Sequence, residues 1–505
     1  MKTKTLFYTL SLLTIVFTMT ACSNEDDAAV KSGDNTNVRT WQVSINAGPA
    51  QTRAISVGGN DGQTLYYNWD AYDVVEVVKG GASVGTLHAN VSEGNSAYAK
   101  LDGTLRGKFS VGETVTLYYH TAELDYTEQV GTLAGVSTNK SYLTATSTVK
   151  SVDGDNKFLS MSDAAFTPMQ DYLELSFTDG NKPINVKSLE IWAEDGKLVK
   201  TKAIDGTTTY ASEASPLVIT PATATNKLFL ALRDENGATN KYHFKVTASN
   251  GLIYKYEDYK RLENGFFYKG SVRMTASPET VGYFLNKDGS ITSTKQTSGE
   301  KESYAVIAYV GTVPHYFDDY LAIALNDASN GTCSLDGSYS AVNSYADAHP
   351  ITIDGTEYKT NAAGTDFYDS ANSSLEGNTN SRTGSTIKGW RLPSIADWRY
   401  IFEGIGKKAG LTIYSGESYG DPSVTTPTSP NGVCDGGQYY GDDGQGGNLC
   451  AAINAACGNT SLQGGNYWCN TGYGMEGYEW NYQFGDGRFN TNENASCYVR
   501  AVFAY

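Results

Sequence analysis

The chain has 505 residues and a formal net charge of −17, a length that allows two or three domains and a charge that excludes nucleic acid as a partner. Only 18% of residues are charged, whereas Gly numbers 53 and Tyr 36, and abundant Tyr, Thr and Val among turn residues favour sheet over helix. From Glu279 onward there are 25 acidic and 12 basic residues, so most of the negative charge lies late in the chain, where it keeps a surface protein soluble and offers a field that attracts Ca²⁺.

The first element predicted is an export signal. Lys2 and Lys4 precede an apolar run from Leu6 to Ala21, which ends at Cys22. The run is short and Thr-rich against the roughly 20 apolar residues of a spanning helix. Small Thr20 and Ala21 before Cys22 fit a bacterial lipoprotein signal over residues 1–21, although Met19 departs from the usual pattern. The implied chemistry is diacylglyceryl on the Cys22 thiol, cleavage before it, and a further acyl chain on the new amine. Each buried CH₂ adds about 0.8 kcal/mol, so several chains hold far better than one. An ordinary secretory signal with an incidental cysteine is the alternative. Residues 22–38 read as a polar tether, and its Ser23 to Asp27 stretch resembles the acidic segment of surface-exposed Bacteroidetes lipoproteins.

Residues 39–276 predict two antiparallel β-sandwiches, 39–165 and 166–276. Trp41, Val43, Ile45 and Ala47 alternate with polar residues, as do Leu173, Leu175 and Phe177, then Leu228, Leu230 and Leu232, then Tyr242, Phe244 and Val246. Asp195-Gly196, Asn236-Gly237 and Asn250-Gly251 supply hairpin turns. No amphipathic helix of ordinary length competes. The stretch 137–164 reads as loop-rich, and the division is set after it, near Ala165.

The segments QTRA (51–54), NWDAYDVVEVV (68–78) and GETVTLYYH (112–120), with YLELSF (172–177) and LENGFFYKGSVRM (262–274), resemble the fimbrillin family, the type V pilins of Bacteroidetes. The resemblance implies pilus subunits as partners, joined by donor-strand exchange: a protease cuts after an Arg near the first strand, and another subunit's strand fills the groove. Arg53 follows the first strand and is the favoured cut. Arg39 precedes it, so cutting there would remove only the tether. An uncut surface Arg is the plain alternative for Arg53.

Residues 277–505 predict an α+β unit. AVIAYVGTVP (305–314) and YLAIALNDA (320–328) read as buried strands. GWRLPSIADWRYIF (389–402) reads as a helix capped by Ser394, with Asp397 at the third position reciprocating the cap and meeting the helix dipole. A second helix is expected from Leu449 to Cys457. Strands are expected over 466–473, 478–490 and 496–505. The series WRLPS, YW, F-x-D-G and YVR resembles a C-type-lectin-like domain, closer to variants at the ends of Bacteroidetes and Fibrobacter surface proteins. The fold class expected for the whole is thus mainly β, two fimbrillin-like sandwiches followed by a disulfide-bonded α+β lectin-like domain.

Cys333, Cys434, Cys450, Cys457, Cys469 and Cys497 all lie in this last unit and fit structural bridges in an oxidising compartment. Six cysteines allow 15 pairings. The resemblance makes Cys469 and Cys497 neighbours, Cys450–Cys457 is a plausible local loop, and Cys333–Cys434 would remain. A zinc site lacks a CxxC pair and a nearby His. Ligand candidates are Tyr473, Glu476, Tyr478, Glu479, Trp480 and Asn481, whose rings and polar groups suit sugars or a protein interface. The alternative is that the rings turn into the core. The calcium triplets of sugar-binding C-type lectins are absent, since Trp480-Asn481 is followed by Tyr482. Asp435, Asp442 and Asp443 are weak Ca²⁺ candidates in a Gly-rich loop, and no other cofactor is expected.

GYGMEG (472–477) matches GxGxxG but lies between predicted strands rather than between strand and helix. P-loop, HExxH and GxSxG motifs are absent. The related fold of formylglycine-generating enzymes uses reactive cysteines, and an even set of six fits bridges better. The expectation is a non-enzyme: a surface adhesin, tip or accessory subunit of a type V pilus, anchored in the outer membrane by lipid or incorporated in the fimbrium, with a head for a host or bacterial surface glycan or protein. The alternatives are a non-polymerising glycan-binding lipoprotein or a carbohydrate-active enzyme.

Overall fold

In the computed structural model the described residues are 39–48, 56–58, 64–66, 69–71, 73–91, 97–311, 318–359, 388–393, 395–411, 439–440, 446–472, 478–484, 488–493 and 496–505. Strand dominates these residues. The first unit contains β1 (Arg39–Ala47), β2 (Val74–Lys79), β3 (Ala82–Asn90), β4 (Ala99–Gly107), β5 (Thr114–Tyr119), β6 (Leu143–Asp153) and β7 (Phe158–Met161). They neighbour one another in the order β7-β1-β4-β3-β2-β5-β6, and β6 pairs back onto β7.

This closure corrects two expectations. The unit is a ring of strands rather than two open sheets, so none of the seven is left as an unpaired edge. Nor is it wholly antiparallel, because β1 runs parallel to β7, with Gln42–Ser44 opposite Phe158–Ser160. The stretch 137–164 is also not loop-rich, since β6 and β7 lie in it. Leu143, Ala145, Ser147 and Val149 all point inward, but the Thr and Ser between and among them hide the alternation behind a turn-like composition. The ring's core joins Trp41, Val43 and Ile45 of β1 to Trp69, Leu87, Leu101 and Leu117.

The second unit contains β8 (Asp171–Asp179), β9 (Val186–Ala193), β10 (Leu217–Ile219), β11 (Lys227–Leu232), β12 (Asn240–Ala248), β13 (Ile253–Lys260) and β14 (Phe267–Arg273). In one sheet β8 lies between β11 and β14, and the other runs β10-β9-β12-β13. The β8–β14 pair is parallel, a second departure from the antiparallel expectation. All three predicted alternations bury their apolar faces. The hairpin glycines sit at positive φ, +66° at Gly196 and +94° at Gly251. The short α1 (Leu133–Asn139) is capped by Thr132, whose Oγ1 accepts from the Gly135 amide. Leu124, Tyr126, Val136 and Tyr142, although they precede residue 165, join the second unit's core.

The third unit begins with β15 (Phe284–Asn286), β16 (Ser303–Val310) and β17 (Tyr320–Ala324). Then come α2 (Leu335–Ala348), β18 (Gly389–Arg391), α3 (Ile395–Ile401), α4 (Gly446–Cys457), β19 (Asn466–Gly472), β20 (Tyr478–Gln483), β21 (Arg488–Glu493) and β22 (Val502–Ala504). One sheet runs β15-β16-β17-β22-β18, and a smaller one runs β21-β20-β19. The expected single strand 478–490 is therefore two, β20 paired antiparallel with β21. Helix α2 was not expected. It is rich in Ser, Asn, Asp and Gly, and shows its inward face only through Ser338, Val342, Tyr345 and Ala346. Helix α3 continues into a wider turn over Phe402–Gly406. There a Cβ on Gly404 would lie 1.7 Å from the Ala308 carbonyl oxygen, so glycine is what lets the helix approach β16.

The second and third units share one continuous hydrophobic core. The Ile291 amide donates to the Asn250 carbonyl at 2.7 Å. Lys182 faces Asp318 and Asp319 at 3.5 and 3.2 Å.

Candidate functional site

The site with the clearest mechanical meaning is the slot that β1 fills. Nine residue pairs join β1 to β4, from Arg39 opposite Gly107 to Ala47 opposite Ala99. On its other edge the Gln42 amide donates to the Lys157 carbonyl at 2.8 Å, and the Ala164 amide donates to the Asn46 carbonyl at 2.9 Å. Trp41 Nε1 donates to the Gly107 carbonyl at 2.9 Å, and Ser44 Oγ donates to Asp102 at 2.7 Å. Trp41, Val43, Ile45 and Ala47 are buried beneath. Taking β1 away would expose the edges of β4 and β7 together with an apolar trough, the requirements for strand addition. Cys22 and Arg53 lie outside the described residues.

In the third unit the two motif arginines prove to be internal braces. Arg391 of WRLPS is 2% exposed and its Nη2 meets Asp397 Oδ1 at 2.6 Å, with Nε to Oδ2 at 3.3 Å. Asp397 lies in the first turn of α3 and is fully buried. Its partner is therefore the guanidinium on β18, beyond the capping role the sequence suggested. Ser394 lies outside the described residues. Arg500 of YVR is fully buried, with Nη1 3.0 Å from both Asp327 Oδ1 and Ser461 Oγ. Tyr467 donates to Asp327 Oδ2 at 2.9 Å. Burial pushes the Asp327 carboxyl up to about 6, against the pull of Arg500 and Tyr467. Both arginines tie sheet to helix or loop, so the motif marks the fold rather than a ligand contact.

The predicted ligand loop is only partly within reach. Tyr473 and Glu476 lie outside the described residues, as do Asp435, Asp442 and Asp443. Tyr478, Glu479 and Trp480 fall on β20. Asn481 corrects the expectation: it is fully buried on β20, with neither side-chain polar atom hydrogen-bonded. Among the described residues no group of three His, Cys, Asp or Glu could hold a metal ion.

Among the described residues Cys333, Cys450, Cys457, Cys469 and Cys497 are free thiols, and Cys434 lies outside them. Cys450 and Cys457 stand on one helix, α4. Seven residues of helix rise about 10.5 Å, beyond the roughly 7 Å limit for bridged Cα atoms, so the local loop is ruled out by the helix itself. Cys333 lies opposite Cys497, and they exchange both backbone hydrogen bonds at 2.9 and 3.0 Å, while Cys497 also acts electrostatically on buried Cys469. Burial pushes the Cys497 thiol up to about 12.

No family model matches the chain, and no curated protein matches it. Solved structures with some likeness include a candidate cell-adhesion protein from Bacteroides ovatus, 13% identical, covering 48% of this chain and 95% of that one at a TM-score of 0.28. A fimbrial protein from the same organism is 12% identical and covers 94% of this chain and all of that one, at a TM-score of 0.20. The tip fimbrial protein Mfa3 of Porphyromonas gingivalis is 11% identical and covers 43% and 81%, at a TM-score of 0.22. At these values they do not identify the chain.

Proposed function

We propose that the protein is a cell-surface adhesin that joins a pilus by accepting a strand and presents residues 277–505 as its binding head. The observation that carries this reading is β1. It is the first described strand after the lipid-anchored tether expected from the sequence, it sits between β4 and β7 in a ring otherwise complete, and Arg53 follows it. A cut there would separate β1 from the rest of the chain while leaving the ring's other six strands covalently joined. A strand from another subunit would then take the vacated ladder.

Strand β22 is committed to its own sheet, between β17 and β18, and the Tyr505 carbonyl accepts from the amides of Asp318, Asp319 and Tyr320. The place proposed for it is a tip or accessory position. The lipid on Cys22 delivers the protein to the outer surface, and the lectin-like motifs of the last unit suit a glycan or protein ligand. The chemistry needs no enzymatic step by this chain. Deleting residues 277–505 is expected to leave pilus shafts in place and abolish adhesion. Unchanged adhesion would count against the head.

A further inference from the structure

The second unit carries a built concavity on its outer face, and one lining residue, Lys255, is ion-paired to Glu279 of the third unit. Trp192 on β9 and His243 on β12 are directly opposed in register. Their rings stack with centroids 5.1 Å apart and planes 6° from parallel. Their neighbours Ile191, Ala193, Tyr242 and Phe244 are buried while both rings are part-exposed, so the pair points outward. A cavity of 710 Å³ opens over it, with Glu194, Ser212, Glu213 and Glu257 also in its lining. That volume lies within the range of small-molecule sites.

The walls are held in place. Ser212 and Ser215 close a tight turn on each other through amide–carbonyl bonds of 3.0 and 3.1 Å, which presents Glu213. Glu194 is fixed by its amide, which donates to the Lys241 carbonyl at 2.9 Å. Glu257 is neutralised by Lys241 at 2.8 Å and lies 3.4 Å from His243 Nδ1. Among the described residues Glu194 and Glu213 make no salt bridge, although Glu194 lies within the field of Lys241. Strand β10 flanks β9 on the side opposite β12, and it begins at Leu217, paired with Ile191. No strand therefore covers Trp192 on that side, and the indole is backed by His243 on one face and open toward the Ser212–Glu213 turn on the other.

We infer that this cleft binds a neutral pyranose residue of a glycan. A sugar ring offers an apolar face of C–H groups to the indole. Its hydroxyls can donate to the Glu194 and Glu213 carboxylates and accept from Ser212. Glu194, Glu213 and Glu257 outnumber Lys255 in the lining, so the cleft disfavours sialylated or sulfated sugars. The site goes beyond the proposed head, because it lies outside residues 277–505 and does not involve the β1 slot.

The test is an array of neutral, sialylated and sulfated glycans probed with the full chain, followed by calorimetry with a bound neutral oligosaccharide. Neutral glycans are expected to bind. Trp192→Ala should weaken binding about tenfold and Glu213→Gln about threefold, with the melting temperature of Glu213→Gln unchanged. Glu213 is exposed on its turn, so that variant decides the matter if Trp192→Ala folds poorly. The inference is overturned if no neutral glycan binds, if anionic glycans are preferred, or if both folded variants bind as the parent does. That last result would place binding elsewhere, the head included, and leave the proposed adhesin intact.

Discussion

Releasing β1 is the perturbation that probes the acceptor slot most closely. Trp41, Val43 and Ile45 are 4%, 3% and 1% exposed, and at about 2 kcal/mol for each buried side chain they hold the strand by roughly 6 kcal/mol. The backbone ladder adds directionality and a smaller net energy, because each bond replaces one to water. A cut after Arg53 with an arginine-specific protease leaves β1 bound but no longer covalently tethered. Exchange against a fluorescent peptide of residues 39–53 is then followed by anisotropy. Ile45→Ala in the resident strand should cost about 2–4 kcal/mol, which speeds its dissociation roughly 30- to 1,000-fold. Gln42→Ala, on the exposed face of the same strand, should change the rate little. Equal rates for the two variants would refute the claim that the buried face of β1 sets its hold on the slot.

Three further outcomes are expected. Burial raises the Asp171 carboxyl to about 7, against the downward pull of backbone hydrogen bonds from Phe266, 2.9 Å from its Oδ1, and Glu263. A folded-state pKa above the unfolded one gives stability that is present below about pH 4 and lost as pH rises through about 7. Asp171→Asn should therefore match the parent near pH 4 and gain on the order of 3 kcal/mol at pH 8 in urea melts; no gain at pH 8 would contradict the buried ionisation. Asp397→Ala removes the carboxylate facing the buried Arg391 guanidinium and should destabilise the protein by about 3–5 kcal/mol, read as a lower unfolding midpoint. Cys333 and Cys497 are free thiols here, but opposed Cα atoms in such a pair lie about 5.5 Å apart, close enough to bridge on oxidation, so peptide mapping of the oxidised, non-reduced protein should join them. A Cys450–Cys457 crosslink would contradict helix α4.

Much of the sheet structure was legible because period-two alternation is a direct imprint of the pleat. Trp41 to Ala47 and Tyr242 to Val246 bury the faces the pattern predicts. The pattern fails where small polar residues take inward positions, as Ser147 does in β6, so that β6 and β7 look like loop in the sequence. Closure into a ring was illegible for a different reason. Pairing β1 with β7 joins Gln42 to Phe158, and no local signal carries a contact of that separation. Helix α2 was hidden by its polar composition, with Ser338 facing inward. At the candidate sites, motif residues misled in one way: Arg391, Asp397 and Arg500 are prominent in sequence because they brace the interior. Asn481 shows the same inversion, being an amide that looked available and is buried. Trp192 and His243 gave no warning, because they stand 51 residues apart and meet only when β9 pairs with β12.

The central claim is that β1 leaves its own ring so that another subunit's strand can enter. N-terminal sequencing of the protein taken from the cell surface tests it most directly. A mature chain beginning at Ala54, with the segment carrying Cys22 and β1 removed, is the predicted result. An N-terminus at acylated Cys22, with β1 still attached, would contradict it.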